Sequence, residues 1–261
     1  MPKYSISQIK SAYIQKKDWE RQFPISYFLF RPISFYLTYL AVRITESPSR
    51  VAWVGFAIGA AGCLSLLFTS HLTIWPSILL LIVLALLDAV DGNIARVTKN
   101  VTHFGKYLDG MIGMAIEGSY CFWIGLGLYL SSEDLYMLNF LHLGYNNKIL
   151  IVLASVIILA GKLYSSIFEG GYYTHLIQKQ KQDGTFQDAL DQNIQSSTYR
   201  KLWWYLLFVN LNAFNLQLII LALCAVLNMV DLFLLFFAIY YLFRLLVTMI
   251  FYTHHAQKNL S

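Results

Sequence analysis

The chain has 261 residues, of which 57% are hydrophobic and only 13% are charged, and its net charge is +5. Soluble globular domains are about 45–50% apolar and about 25% charged, so this composition excludes a water-soluble domain. It equally excludes a disordered chain, a collagen and a coiled coil. The apolar residues suffice for about six to seven helices of ~20 residues, and we predict an all-α, polytopic integral membrane protein. The positive charge fits contact with anionic membrane lipid better than contact with nucleic acid.

The first predicted segment, residues 1–31, is basic and rich in aromatic side chains. Its cationic residues are Lys3, Lys10, Lys16, Lys17, Arg21 and Arg31. We interpret it as a segment that lies on the cytoplasmic face of the membrane. Residues 32–46 are apolar but too short to span, and they predict an N-terminal interfacial helix.

Six membrane spans are predicted next, at about residues 50–70, 73–97, 103–131, 148–170, 204–228 and 231–253. They define a catalytic membrane domain over residues 32–255, followed by a cytoplasmic tail over 256–261. Two polar stretches, 131–147 and 176–201, are predicted loops. Sixteen of the 19 Lys and Arg residues fall on one face of this arrangement and one on the other. This bias predicts that both termini are cytoplasmic, and we expect the plasma (inner) membrane.

Three aspartates cluster around the turn between the second and third spans. Asp88 and Asp91 are three residues apart and share a helix face, and Asp109 lies one turn into the next helix. Antiparallel neighbours would bring the three carboxylates together near lipid, where they need a counter-ion. Oxygen ligands suit a divalent cation such as Mg²⁺ or Mn²⁺. The aspartates therefore predict a divalent metal site.

The residues beside these aspartates predict a nucleotide site. Gly92, Ala95 and Gly105 leave patches of helix without side-chain bulk, where a base or a ribose could approach. Arg96 is suited to bind a phosphate. A metal-bound nucleotide diphosphate invites substitution at phosphorus with release of the nucleotide monophosphate.

These residues follow the pattern Asp88-x-x-Asp91-Gly92-x-x-Ala95-Arg96, eight residues, Gly105-x-x-x-Asp109. The pattern resembles the signature of the CDP-alcohol phosphotransferases, and the resemblance extends over about residues 25–255. It implies a homodimeric membrane enzyme of phospholipid or related lipid or polyol synthesis. Such an enzyme transfers a substituted phosphate from CDP-diacylglycerol or another CDP-alcohol to a hydroxyl or phosphate acceptor and releases CMP. The resemblance also implies that the metal is held by Asp88, Asp91 and Asp109, and that the CDP site is lined by Gly92, Ala95, Arg96 and Gly105.

The chain departs from the family's pattern at Gly113. In the family, this position holds a fourth aspartate, which is both a metal ligand and the proposed general base. Three alternatives follow. Glu117 or His103 replaces the base; or the acceptor is already an anion and needs none; or the chain binds nucleotide without efficient turnover and has a scaffolding or regulatory role. A second departure is Ser49 after Pro48, where the family usually has asparagine.

Two cations lie within predicted spans, Lys162 and Arg244. Either each pairs with a buried acid or extends to the interface, or both bind the phosphate of an acceptor. The amides of the fifth span predict interhelical hydrogen bonds, and they are Asn210, Asn212, Asn215 and Gln217. A transporter that uses the carboxylates for cations is the remaining alternative. It is disfavoured because the acids lie at one membrane face rather than at the midplane.

Overall fold

The computed structural model describes residues 4–68, 73–131, 136, 148–183 and 203–260, with side chains other than those of 15, 18 and 203–207. Within these ranges the regular structure is entirely helical, which confirms the predicted all-α membrane fold. The α-helices of the described residues are α1 (Ile6–Ala12), α2 (Ile14–Glu20), α3 (Arg31–Ala41), α4 (Pro48–Ser65), α5 (Ile74–Val97), α6 (His103–Ile112), α7 (Tyr120–Leu130), α8 (Ile149–Gln182), α9 (Trp203–Asn212), α10 (Phe214–Val226) and α11 (Val230–Leu260).

The N-terminal segment folds into two short helices that precede α3. Helix α1 begins with a capping box, in which Ser5 and Gln8 satisfy each other's backbone amides. Helices α1 and α3 both pack against α5. The helix predicted over residues 32–46 is therefore present as α3, although it ends at Ala41, before the turn that leads to Pro48.

Five segments of the described chain are long and apolar enough to cross a membrane. They are Pro48–Phe68, Ile74–Val97, His103–Leu130, Ile149–Gln182 and Val230–Leu260. They correspond to five of the six predicted spans. Helix α10 is apolar but shorter, so the predicted count of six spans is not confirmed.

The predicted fifth span, residues 204–228, is not one helix. It is broken at Ala213, whose backbone is extended (φ −69°, ψ 123°), into α9 and α10. Polar side chains around the break stabilise it, because they donate hydrogen bonds to backbone carbonyls. The Gln217 amide donates to the Leu211 carbonyl at 2.7 Å, and the Asn210 amide donates to the Gln22 carbonyl at 2.7 Å.

Two helices run further than the sequence predicts. Helix α8 continues to Gln182, so the start of the predicted loop 176–201 is helical, and α11 continues to Leu260 through the predicted tail. The loop prediction was wrong over residues 176–182, and α11 extends into the residues predicted as the tail, because both stretches lack a helix-stopping residue and contain Gln and Lys, which favour helix. The rest of that loop, 184–201, and most of loop 131–147 lie outside the described residues.

The predicted third span contains a local change of helix type. A π-helical turn occupies Gly113–Glu117 between α6 and α7, and its amide at Gly118 donates to the Gly113 carbonyl at 3.1 Å. A π turn holds one more residue than an α turn and is frequent at functional sites. The residues after the turn are therefore rotated relative to a continuous α-helix.

The core is closed by contacts between helices at small residues. In α4, a Cβ added at Gly59 would lie 2.7 Å from a methyl group of Leu84 on α5. In α8, Gly161 packs against the backbone of Tyr241 on α11. Side-chain bulk is absent where the helices come closest, as is typical of membrane bundles.

Replacing Gly161 by alanine is expected to destabilise the contact between α8 and α11. The new Cβ would lie 2.8 Å from the Tyr241 Cβ and 2.9 Å from its carbonyl oxygen. Overpacking of this kind costs about 1–3 kcal/mol, so the midpoint of thermal unfolding in detergent should fall. The matched control is Gly171→Ala in the same helix, where an added Cβ meets nothing within 4 Å. Equal stability of the two variants would contradict the close packing.

Candidate active site

The residues of the motif, from Asp88 to Asp109, lie on two helices joined by a tight turn. Helix α5 ends at Val97, and Lys99 adopts a left-handed backbone (φ 56°) that reverses the chain. Thr102 then caps α6 by accepting a hydrogen bond from the Gly105 amide at 3.0 Å. After this turn, residues of α5 and α6 line the same cavity.

A cavity of about 260 Å³ opens at this turn, and we call it the motif cavity. Its walls come from α5, α6, the start of α4 and the N-terminal segment. All of the motif residues predicted from the sequence line it: Asp88, Asp91, Gly92, Ala95, Arg96, Gly105 and Asp109. Pro48 and Ser49, which carry the second departure from the family pattern, line it too.

The three aspartates form one wall of the motif cavity. Asp88 and Asp109 are exposed, while Asp91 is half-buried. In the described part of the chain, none of the three forms an ion pair with Lys, Arg or His.

Oxygen donors of this kind fit a divalent cation chemically. Their geometry is less complete, because no three His, Cys, Asp or Glu side chains among the described residues stand close enough together to hold a metal ion. The shared cavity agrees with the predicted ligand set, whose metal-binding role stays a prediction.

Arg96 lines the same cavity and folds back over its own helix. Its guanidinium donates to the Asn93 side-chain oxygen at 2.9 Å, and its buried Nε has no hydrogen-bond partner. A Cβ at Gly92 would lie 3.2 Å from the guanidinium. The bare patch predicted at Gly92 is thus occupied by Arg96 itself, and the glycine makes room for that side chain.

Asn93 is the centre of a buried polar network that the sequence analysis missed. Its oxygen accepts from Arg96 and, at 3.1 Å, from Arg31, and its amide donates to Ser34 at 3.2 Å and Thr38 at 3.1 Å. The network ties α3 to the motif on α5. The signal available in the sequence was an asparagine in an apolar helix, at an unspecified position of the motif between Gly92 and Ala95.

The network continues to Glu20 on α2, which was also missed. Arg31 forms a buried salt bridge with Glu20, and the Tyr13 hydroxyl donates to the same carboxylate. Burial would raise the pKa of Glu20, but the hydrogen bond and charge of Arg31 outweigh it and lower that pKa below its ordinary value. Burial and the Glu20 carboxylate raise the pKa of Tyr13. Glu20 is therefore charged at neutral pH and holds Arg31 in place.

Comparison with known proteins gives one result. A family model described as CDP-alcohol phosphatidyltransferase matches residues 47–177. The chain belongs to this family. The match runs from the residue before α4 into α8 and contains every motif residue, and it confirms the resemblance that the motif predicts. A search of curated proteins finds no significant match.

Members of the CDP-alcohol phosphatidyltransferase family are transferases that move a phosphate group from a CDP-alcohol to an acceptor hydroxyl. The chain is accordingly assigned at this level to a transferase class, and its apolar helices indicate an integral membrane protein. Family membership argues against the transporter alternative. The N-terminal segment, α10 and α11 lie outside the matched residues.

Of the two candidate replacements for the base, the structure brings Glu117 to the site. Glu117 and Asp88 line a second cavity of about 200 Å³, which we call the middle cavity. Lys16 and Arg31 line both the middle cavity and the motif cavity. His103 is the first residue of α6, is exposed, and lines neither cavity.

A third cavity of about 150 Å³, the Lys162 cavity, brings the remaining candidates together. Gly113, Glu117, Lys162 and Arg244 all line it. Lys162 donates to the Glu117 backbone carbonyl at 2.6 Å and to Gln217 at 3.0 Å, so it contacts a carbonyl rather than a carboxylate.

Gly113, at which the resemblance predicts the fourth aspartate, is sterically open, since a Cβ at this position meets nothing within 4 Å.

The amides of the broken fifth span make the interhelical hydrogen bonds predicted for them. Gln217 is fully buried; its oxygen accepts from Tyr120 at 2.8 Å, and its nitrogen donates to Tyr241 at 2.6 Å. Asn212 accepts from Tyr241 at 3.0 Å, and Asn215 donates to Ser26 at 2.7 Å. The bonds of Gln217 join α10 to α7 and α11, and the Lys162 ammonium donates to the same Gln217 side chain.

Substituting Glu20 by glutamine is expected to lower stability, because it leaves Arg31 buried without its counter-ion. Breaking a buried pair costs about 3–5 kcal/mol. Since the pKa of Glu20 lies below its ordinary value of 4.5, the advantage of the wild type should be complete above about pH 4.5 and lost as the pH falls through the lowered pKa. Thermal unfolding of both proteins between neutral and acid pH measures this difference.

The control is Asp183→Asn, at an exposed position after α8. It should leave the midpoint unchanged. A deficit of Glu20→Gln that persists undiminished in acid would mean that the charge of Glu20 is not what stabilises the fold.

Proposed function

We propose that this chain is a metal-dependent membrane transferase of phospholipid or related lipid or polyol synthesis. It moves a substituted phosphate from CDP-diacylglycerol or another CDP-alcohol to an acceptor, and CMP is released. The observation that carries the proposal is the motif cavity, in which every motif residue of a CDP-alcohol phosphatidyltransferase lies on one surface. Both carboxylates and cations line this cavity, and a metal-bound diphosphate needs both.

The metal would be held by Asp88, Asp91 and Asp109, whose oxygens suit Mg²⁺ or Mn²⁺. When bound, such an ion supplies charge neutralisation at the diphosphate and makes its phosphorus more electrophilic. Arg96 would bind the phosphates of CDP, and Gly92, Ala95 and Gly105 would line the nucleotide. The uncompensated carboxylates and the buried, unpartnered Nε of Arg96 support this assignment.

Glu117 is the group that we propose as the general base. In a continuous α-helix, Glu117 would lie about 80° around the axis from Asp109, because eight residues turn through about 800°. The π turn at Gly113–Glu117 holds an additional residue, which returns Glu117 toward the face of Asp109. Glu117 lines the middle cavity together with Asp88, so its carboxylate borders the proposed metal ligands.

The acceptor would enter from the Lys162 cavity. Lys162 and Arg244 give this cavity positive charge, which suits an acceptor that carries a phosphate or another anionic group. Glu117 takes the proton of the attacking hydroxyl as its oxygen forms a bond to the β-phosphorus of the donor. The bond from that phosphorus to the oxygen bridging it to CMP breaks, and CMP leaves with the electron pair.

A second candidate function is a nucleotide-binding homologue with little turnover and a scaffolding or regulatory role. Two observations favour it: Gly113 provides no carboxylate, and no three acidic side chains of the described residues converge on one point. It predicts binding of CDP without release of CMP from any donor.

The setting that we propose is a homodimer in the plasma (inner) membrane with both termini cytoplasmic. The orientation is supported by the bias of Lys and Arg toward one face. It would open the motif cavity, which lies beside Lys99 and Lys106, toward the cytoplasm, where CDP-linked donors are available to it.

Purified protein in nanodiscs is expected to release CMP from a CDP-linked donor in the presence of Mg²⁺ or Mn²⁺ and a suitable acceptor. The screen would combine CDP-diacylglycerol and soluble CDP-alcohols with polyols and phosphorylated polyols. Asp91→Asn should abolish release because it removes one of the proposed metal ligands, whereas Asp183→Asn should retain it. Metal-dependent binding of CDP without release would favour the second candidate, and absence of CDP binding would refute the proposed nucleotide site.

Glu117→Gln is expected to lower kcat by about 10²–10⁴, the usual contribution of a general base. The matched control is Glu169→Gln, at an exposed position on α8 away from the three cavities. Adding Gly113→Asp to Glu117→Gln should restore part of the rate, because the site has space for the side chain. Full activity of Glu117→Gln would show that Glu117 is not the base.

A further inference from the structure

Lys16 on α2 reaches the proposed donor site from outside the matched part of the chain. Its half-buried side chain lines the motif cavity, beside Asp88 and Arg96, and also the middle cavity, beside Glu117. The family match begins only at residue 47. Lys16 thus adds to the motif residues a cation that the motif itself does not contain.

The other cations of the motif cavity are engaged or peripheral. Arg31 is bound to Glu20 and Asn93, Arg96 donates to Asn93, and Lys106 is exposed. For Lys16, the described part of the chain provides no hydrogen bond or ion pair to the ammonium group. The Nζ atom of Lys16 lies over the Trp19 ring, 5.5 Å from the ring centroid. Three N–H donors of a half-buried ammonium are therefore available to a ligand.

The charges around Lys16 indicate what kind of ligand fits. Burial lowers the pKa of Lys16, and the positive charges of Arg31 and Arg96 act in the same direction, opposed by Glu20 and Asp88. A cation held beside other cations gains most from an anion placed among them. The three aspartates of the motif cavity would repel a bare anion, but they would bind the metal of an anion that carries a divalent cation. A metal-bound diphosphate satisfies both sides.

We propose that Lys16 binds the diphosphate of the CDP-linked donor, so that residues 4–23 of the N-terminal segment complete the donor site. This inference rests on the proposed function. An ammonium group is an effective phosphate ligand because it acts as a compact point charge. The segment is anchored for this role one helical turn after Lys16, where Glu20 contacts both Arg31 and Tyr13.

The test is nucleotide binding by the full-length protein in detergent with Mg²⁺, measured by calorimetry for CDP, CMP and cytidine. Lys16→Met should raise the Kd of CDP about tenfold or more, as loss of a charge-assisted hydrogen bond does. The effect on CMP should be smaller, and cytidine binding should be unchanged because cytidine has no phosphate. Lys16→Arg, which keeps the charge, should stay within about threefold of the wild type.

The matched control is Lys17→Met, which removes the same charge from the adjacent residue, one that does not line the motif cavity. It should leave all three affinities unchanged. Gel filtration and thermal unfolding check that each variant is folded, and Lys16→Gln gives the same comparison if the methionine variant unfolds.

Two results would overturn the inference while the proposed function stands. In the first, the wild type binds CDP and Lys16→Met binds it equally well. In the second, Lys16→Met weakens CDP and cytidine by the same factor, which a structural role would produce. A wild type that fails to bind CDP at all would instead overturn the proposed function, and this inference with it.

Discussion

Charged groups in a membrane bundle must be compensated inside the protein, and this constraint organises the helices around the second half of α5. Asp88, Asp91, Asn93 and Arg96 lie there, and the neighbouring helices contribute groups that compensate them. Helix α3 contributes Arg31 and the two hydroxyls that hold Asn93, and α2 contributes the Glu20 carboxylate that holds Arg31. Helix α4 approaches closely through its glycines. The carboxylates of the motif have no ion-pair partner among the described residues, so the proposed metal-bound substrate would supply the compensation that they lack.

The arrangement also separates the two halves of the proposed reaction. The motif cavity collects the groups that suit a donor, and the Lys162 cavity collects cations that suit an acceptor. The middle cavity lies between them and is lined by Asp88 from one side and Glu117 from the other. A transfer between two substrates requires both to approach one point while water is kept away. The cavities suit such an approach, because the middle cavity shares Asp88 with the motif cavity and Glu117 with the Lys162 cavity.

The sequence was sufficient for the elements that depend on local pattern. Hydropathy located five of the long helices, and the spacing of the motif placed its residues in one cavity, because helical periodicity and a short turn determine both. It was insufficient where distant segments meet. Nothing near Glu20 in the chain indicates that it contacts Arg31, nor that Arg31 contacts Asn93, 62 residues later. The break at Ala213 and the π turn were missed for a related reason: both are stabilised by particular hydrogen bonds, and average hydropathy does not record them.

Gly113 has a consequence for how this chain can change over generations. Two of the four glycine codons become an aspartate codon by a single base change, and a Cβ added at Gly113 meets no atom within 4 Å. An aspartate introduced here would therefore meet little resistance from packing. Which of the two residues the chain keeps is then decided by what a carboxylate does in the site, because the surrounding fold leaves room for either.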